Sequence, residues 1–84
     1  MKKNNFNLIF EMAGTKYKTK GETIHEAMLK LPLDWHNIKG KGIFNIKQGK
    51  KSVEHLFYQK QLRRIFANKL TMILWSRRLN LLLR

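Results

Sequence analysis

Residues 6–20 read Phe6-Asn7-Leu8-Ile9-Phe10-Glu11-Met12-Ala13-Gly14-Thr15-Lys16-Tyr17-Lys18-Thr19-Lys20. Phe6, Leu8, Phe10 and Met12 alternate with Asn7, Ile9 and Glu11, the period-two pattern of a strand buried on one side. Ala13-Gly14 reads as a tight turn, with glycine supplying the positive φ that a short hairpin requires. On the return strand Lys16, Lys18 and Lys20 fall on one face, and Tyr17 and Thr19 on the other. One side of the hairpin is greasy and the other cationic. A sheet built from such a unit needs helices on one side only, which points to the α+β class.

Downstream of the hairpin, Thr23-Ile24-His25-Glu26 forms a capping box, with Thr23 as N-cap. Ile24, Ala27, Met28 and Leu31 follow at i, i+3, i+4 and i+7, an apolar stripe on a short helix. Pro32 closes it, because the residue before a proline resists the α conformation. The Gly21-x-Thr23-x-x-Glu26-Ala27 helix entry after a hairpin resembles that of HicB-like antitoxins; the likeness is one of capping chemistry and implies no function. In the loop 33–39, Leu33, Trp35 and Ile38 are expected to fold back on the core, with Asp34 capping the loop. Gly42 to Lys47, a Gln48-Gly49 turn and Lys51 to Tyr58 make a second hairpin. Lys47, Lys50 and Lys51 crowd its tip.

Gln59 to Arg84 is rich in Leu, Arg, Gln and Lys and free of Pro and Gly, so it is helical by propensity. At about 100° per residue, Leu62, Ile65, Phe66 and Ile73 share one face. Met72, Trp75, Leu79, Leu82 and Leu83 share another, rotated from the first. A single straight helix would draw Lys69, Ser76 and Asn80 into its apolar stripe. A break at Asn68, a good N-cap, gives helices 59–67 and 69–83 and removes part of that conflict. The last helix also carries Leu70, Leu74 and Leu81 on the opposite flank. That second flank implies either cover from residues 33–38 or docking on a partner or a second copy. The expected layout is ββαββα, a single basic α+β domain over residues 1–84. Two hairpins form an antiparallel sheet with the helices on one face.

The chain carries 18 Lys and Arg against 5 Asp and Glu, a net charge of +13. Self-repulsion on this scale weakens a small compact domain unless an anion screens it. The asymmetry grows along the chain: residues 1–42 hold 8 basic and 4 acidic groups, whereas residues 43–84 hold 10 basic groups and only Glu54. There is no cysteine, so neither disulfides nor a cysteine-ligated zinc braces the fold, which fits a reducing compartment. The start Met1-Lys2-Lys3-Asn4-Asn5-Phe6 is basic, but its apolar run is too short for a signal peptide. No apolar run is long enough to span a bilayer, and a cytoplasmic location is expected.

Enzymatic and metal chemistry find little purchase. His25, His36 and His55 are widely spaced and lack flanking thiols, so no metal site and no cofactor is expected. Asp34-Trp35-His36-Asn37 contains nuclease residue types, but metal-dependent phosphodiester cleavage needs clustered carboxylates, and five are spread over the whole chain. Gly40-Lys41-Gly42 lacks the following Gly-Lys-Ser/Thr and helix of a phosphate loop.

A non-enzymatic nucleic-acid-binding role is therefore expected, with RNA or a ribonucleoprotein favoured over sequence-specific DNA. The candidate contacts are Lys16, Lys18 and Lys20, spaced about 6–7 Å along one strand face; Lys47, Lys50 and Lys51 at the hairpin tip; and Arg63, Arg64, Arg77 and Arg78, whose guanidinium groups read phosphate bidentately. Tyr17, Tyr58 and Trp35 are available to stack on bases. The alternative is a small protein-interaction or assembly factor that docks or dimerises through Leu70, Leu74 and Leu81; its Lys, Asn, Ile and Phe are residues that AT-rich coding favours, which is compatible with a viral origin. A membrane-surface role through the Arg- and Trp-bearing tail ranks below both.

Overall fold

The alternation at the head of the sequence becomes strand β1 (Phe6–Met12) in a computed structural model that describes residues 5–84. Met1-Lys2-Lys3-Asn4, part of the reading against a signal peptide, lies outside the described residues. Phe6, Leu8, Phe10 and Met12 are buried, and Asn7 and Glu11 are exposed. Strand β2 (Thr15–Gly21) returns antiparallel with Thr15 opposite Met12, so Ala13 and Gly14 alone make the turn. Both have positive φ, 51° and 81°, as a type I′ turn requires. Ala13 adopts the left-handed conformation despite its Cβ.

Helix α1 (Ile24–Leu29) begins where the capping chemistry places it, with Thr23 Oγ1 accepting from Glu26 N at 3.0 Å. Ile24, Ala27 and Met28 are buried against the first hairpin, and Leu31 beyond the helix end is buried too. Thr19 Oγ1 donates to the Ala27 carbonyl at 2.7 Å and ties α1 to β2.

Strands β3 (Gly42–Gln48) and β4 (Lys51–Phe57) form the second hairpin. Gln48 pairs with Lys51, which moves the turn from the expected Gln48-Gly49 to Gly49-Lys50. The glycine, at φ 62°, occupies the first central position, where a type II′ turn needs positive φ and a glutamine would resist it. Strand β4 ends at Phe57, and Tyr58 becomes the N-cap of the next helix rather than a strand residue. The antiparallel sheet has the order β2-β1-β3-β4.

Helices α2 (Gln59–Ala67) and α3 (Lys69–Leu83) are separated at Asn68, whose Oδ1 accepts from Leu70 N at 2.9 Å and Thr71 N at 3.4 Å. Together with α1 they cover one face of the sheet. Aromatic rings bridge the layers: Phe10 stacks on Phe44 at 4.7 Å, Phe57 meets Phe44 edge-on at 5.3 Å, and Trp75 of α3 meets Phe57 at 4.7 Å and 88°. Gly42 makes this approach possible, since a Cβ there would lie 2.4 Å from Phe10 Cε1.

Two packing expectations are corrected. Trp35 does not pack on the core; it is 44% exposed, with its ring 3.6 Å from that of His36. Asp34 Oδ1 caps a short 3₁₀ turn (Trp35–Asn37) by accepting from His36 N at 2.8 Å and Asn37 N at 3.2 Å. This tight winding turns residues 35–37 outward and leaves the buried place to Ile38. Leu82 is also outside the inner stripe of α3, at 57% exposure. Met72, Ser76, Leu79 and Leu83 centre that stripe, and Leu82 lies about a quarter turn away. Ser76 is accommodated because its hydroxyl donates to the Ile73 carbonyl at 2.7 Å.

Candidate nucleic-acid interface

With the helices on one side, no described element covers the other face of the sheet, and strand register decides which side chains meet there. The sequence places Lys16, Lys18 and Lys20 on one face of β2, and pairing extends that face across the sheet in three rows. Lys16 lies beside Glu11, then Ile43 and Leu56. Lys18 lies beside Ile9, then Asn45 and Glu54. Lys20 lies beside Asn7, then Lys47 and Ser52.

Lys47 thus joins the three β2 lysines, two strands and roughly 10 Å from Lys20. Three lysines along the β2 edge and Lys47 at one end flank Ile9, Ile43 and Asn45, all half-buried, with Glu11 between Lys16 and Ile43 and Glu54 beside Asn45. Asn45 Oδ1 is shielded from solvent and has no hydrogen-bond partner among the described residues. An acceptor in that state seeks a donor. At the Ala13-Gly14 end, Lys39 and Lys41 line a shallow depression with Glu11 and Ile43, adding two ammonium groups to its margin.

The remaining expected contacts lie elsewhere. Lys50 is in the second turn, and Lys51 points to the helix side of β4. Arg63 and Arg64 are exposed on α2, and Arg77 and Arg78 on α3, on the helix side of the sheet; Arg77 borders a cleft with Gln48 and Lys51, at the sheet end where Lys20 and Lys47 lie. Arg78 is held over the Trp75 ring, 5.2 Å from its centroid. The two cationic sets thus lie on opposite sides of the sheet and approach each other at the Gln48–Lys51 end.

Of the expected stacking rings, Tyr17 lies on the helix side of the sheet, 6.4 Å from Phe10, and is not available to a strand lying on the lysines. Tyr58 is 64% exposed on extended backbone just past β4, continuing the side on which Leu56 lies. His55 is enclosed between Phe57 and Trp75, at 4.4 and 5.3 Å, while neighbouring Glu54 is on the open face. Among the described residues no group of three or more His, Asp or Glu side chains is placed to hold a metal ion.

The sequence marks Lys47 as a contact at the hairpin tip and not as part of this array, and it does not single out Asn7 and Asn45. Counting parity along β3 would have put Lys47 and Asn45 on one side, but only the β1–β3 pairing makes that side continuous with the lysines. Compared with protein-family models, curated proteins and solved structures, the chain finds no match.

Proposed function

We propose that this chain is a non-enzymatic nucleic-acid-binding module that takes a single strand, RNA in preference to sequence-specific duplex DNA, across the open face of its sheet. The observation that carries this reading is the register that brings Lys16, Lys18, Lys20 and Lys47 onto one face of the sheet, beside Ile9, Ile43 and Asn45. The spacing of the β2 lysines suits successive phosphates, while the half-buried Ile9 and Ile43 beside them suit bases and sugars turned toward the protein.

Geometry supports a single strand over a groove. Three strand spacings put the outer backbones of the sheet about 14 Å apart before side chains are added. The major groove, about 12 Å wide, admits a helix or a two-stranded ribbon. The face has no aromatic ring at its centre, so affinity rests on charge and sequence preference is weak, with Tyr58 as its marginal stacking residue. The arginines of α2 and α3 contribute to the long-range field that draws a polyanion in.

The test is the salt dependence of affinity for a single-stranded RNA oligonucleotide. Replacing Lys16, Lys18, Lys20 and Lys47 with Gln should weaken binding and reduce the slope of log K against log salt by about 0.7 for each phosphate no longer neutralised. The helical content should be unchanged, because all four side chains are exposed. An unchanged slope in a folded variant removes this face from the site.

A further inference from the structure

Helix α3 buries one side and leaves the opposite side bare. Leu70, Leu74 and Leu81 lie half a turn from the buried Met72, Leu79 and Leu83 and are 71%, 58% and 64% exposed. The 3₁₀ turn expected to cover them packs on α2 instead. Leu70 and Leu74 adjoin and Leu81 follows two turns on, past Arg77; exposed leucines gathered on one helix face mark a contact surface where single ones would not. The outer side continues as Leu70, Leu74, Arg77, Leu81 and Arg84, in steps of four, three, four and three. That is the seam spacing of helices packed side by side.

The two arginines of the seam define what fits against it. A guanidinium carried into a contact without a counter-charge is strongly destabilising. Residues 59–84 contain seven Lys and Arg and no Asp or Glu, so the same helix of a second copy would bring like charges to the seam and no carboxylate side chain to pair with Arg77 and Arg84. Arg77 and Arg84 also border a cleft of about 550 Å³ together with Lys51 and with Glu22, the one Asp or Glu among the described residues of its lining. Acidic side chains reaching past the leucines would find three cations there. A bilayer surface fits less well: Arg77 interrupts the apolar side, and Trp75, the ring suited to anchor in an interface, is turned inward against Phe57 and His55.

We propose that the outer face of α3 docks an acidic amphipathic helix of a protein partner. Its apolar residues lie on Leu70, Leu74 and Leu81, and its carboxylates pair with Arg77 and Arg84. The lysines of the other surface project from the opposite side of the sheet, so the two surfaces can be tested apart.

The experiment is a calorimetric titration of the full chain with a synthetic helical peptide bearing a leucine seam and flanking glutamates. Its glutamine counterpart and a scrambled peptide of the same composition serve as controls. The acidic helix should bind, with the glutamine peptide about tenfold or more weaker. The combined Leu70→Gln, Leu74→Gln and Leu81→Gln variant should keep its circular dichroism and bind roughly a hundredfold more weakly. The Arg77→Glu, Arg84→Glu variant should prefer a lysine-bearing peptide over the acidic one. The Lys16, Lys18, Lys20 and Lys47 to Gln variant should bind the acidic peptide at moderate salt within a few-fold of the native chain, so this proposal and the nucleic-acid reading fail separately. Equal binding of the glutamine or scrambled peptide overturns the proposal. So does a dimer at high salt that the leucine variant dissolves, or leucine-dependent sedimentation with phosphatidylserine vesicles when the acidic peptide does not bind.

Discussion

At Gly42 the missing side chain is a packing requirement. Its Cβ would stand 2.4 and 2.6 Å from two atoms of the Phe10 ring and 3.2 Å from Leu62 Cδ1, where β1, β3 and α2 converge. Phe10 is fully buried among Tyr17, Phe44 and Phe66, so its ring has little room to withdraw. Gly42→Ala should therefore cost about 1–3 kcal/mol, the usual penalty for overpacking a well-filled core. In a chain of this size that lowers the thermal midpoint by roughly 4–8 °C per kcal/mol. A melt superimposable on that of the native chain would mean the aromatic layer is looser than these distances imply. Nothing in the sequence marked this glycine out from Gly40 two residues earlier, because the approach it permits involves a residue 32 positions away.

Among the elements, the α2–α3 break was the most legible feature of the second half. Two local signals agreed on it: the apolar stripe rotates between the two segments, and Asn68 stands at the change. The cap is formed by the Asn68 Oδ1 bonds to Leu70 N and Thr71 N, and the side chain is otherwise exposed. Asn68→Ala should cost about 1 kcal/mol, while Asn68→Asp or Asn68→Ser should retain most of the stability. Urea unfolding of the three variants checks this; equal midpoints would show that packing alone holds the corner. The hairpin tip was less legible, because both Gln48-Gly49 and Gly49-Lys50 supply the glycine a two-residue turn needs. Pairing of β3 with both β1 and β4 selects the second. Trp35 misled because its size argues for burial, whereas the Asp34 cap winds the loop outward.

At the scale of the whole molecule, the separation of its charges could not be read from the sequence. Parity along each strand was available, and it correctly sorted Lys16, Lys18 and Lys20 from Tyr17 and Thr19. Which strands become neighbours is a long-range outcome, and the β1–β3 pairing is what adds Lys47 and Asn45 to the lysine face. The same pairing, with the helices on the other side, places Arg63, Arg64, Arg77 and Arg78 on a different surface. A net charge of +13 on so small a fold ensures that some binding to any polyanion occurs at low salt, so affinity alone is a poor witness to where a strand lies. Location is the discriminating quantity. It is read by titrating the ¹⁵N-labelled chain with a single-stranded RNA oligonucleotide at near-physiological salt and following every backbone amide. The expected result is that the shifts concentrate in residues 7–11, 16–20 and 43–47, with Tyr58 at the margin and residues 70–84 little changed. Shifts confined to α2 and α3, with the open face of the sheet unmoved, would contradict it.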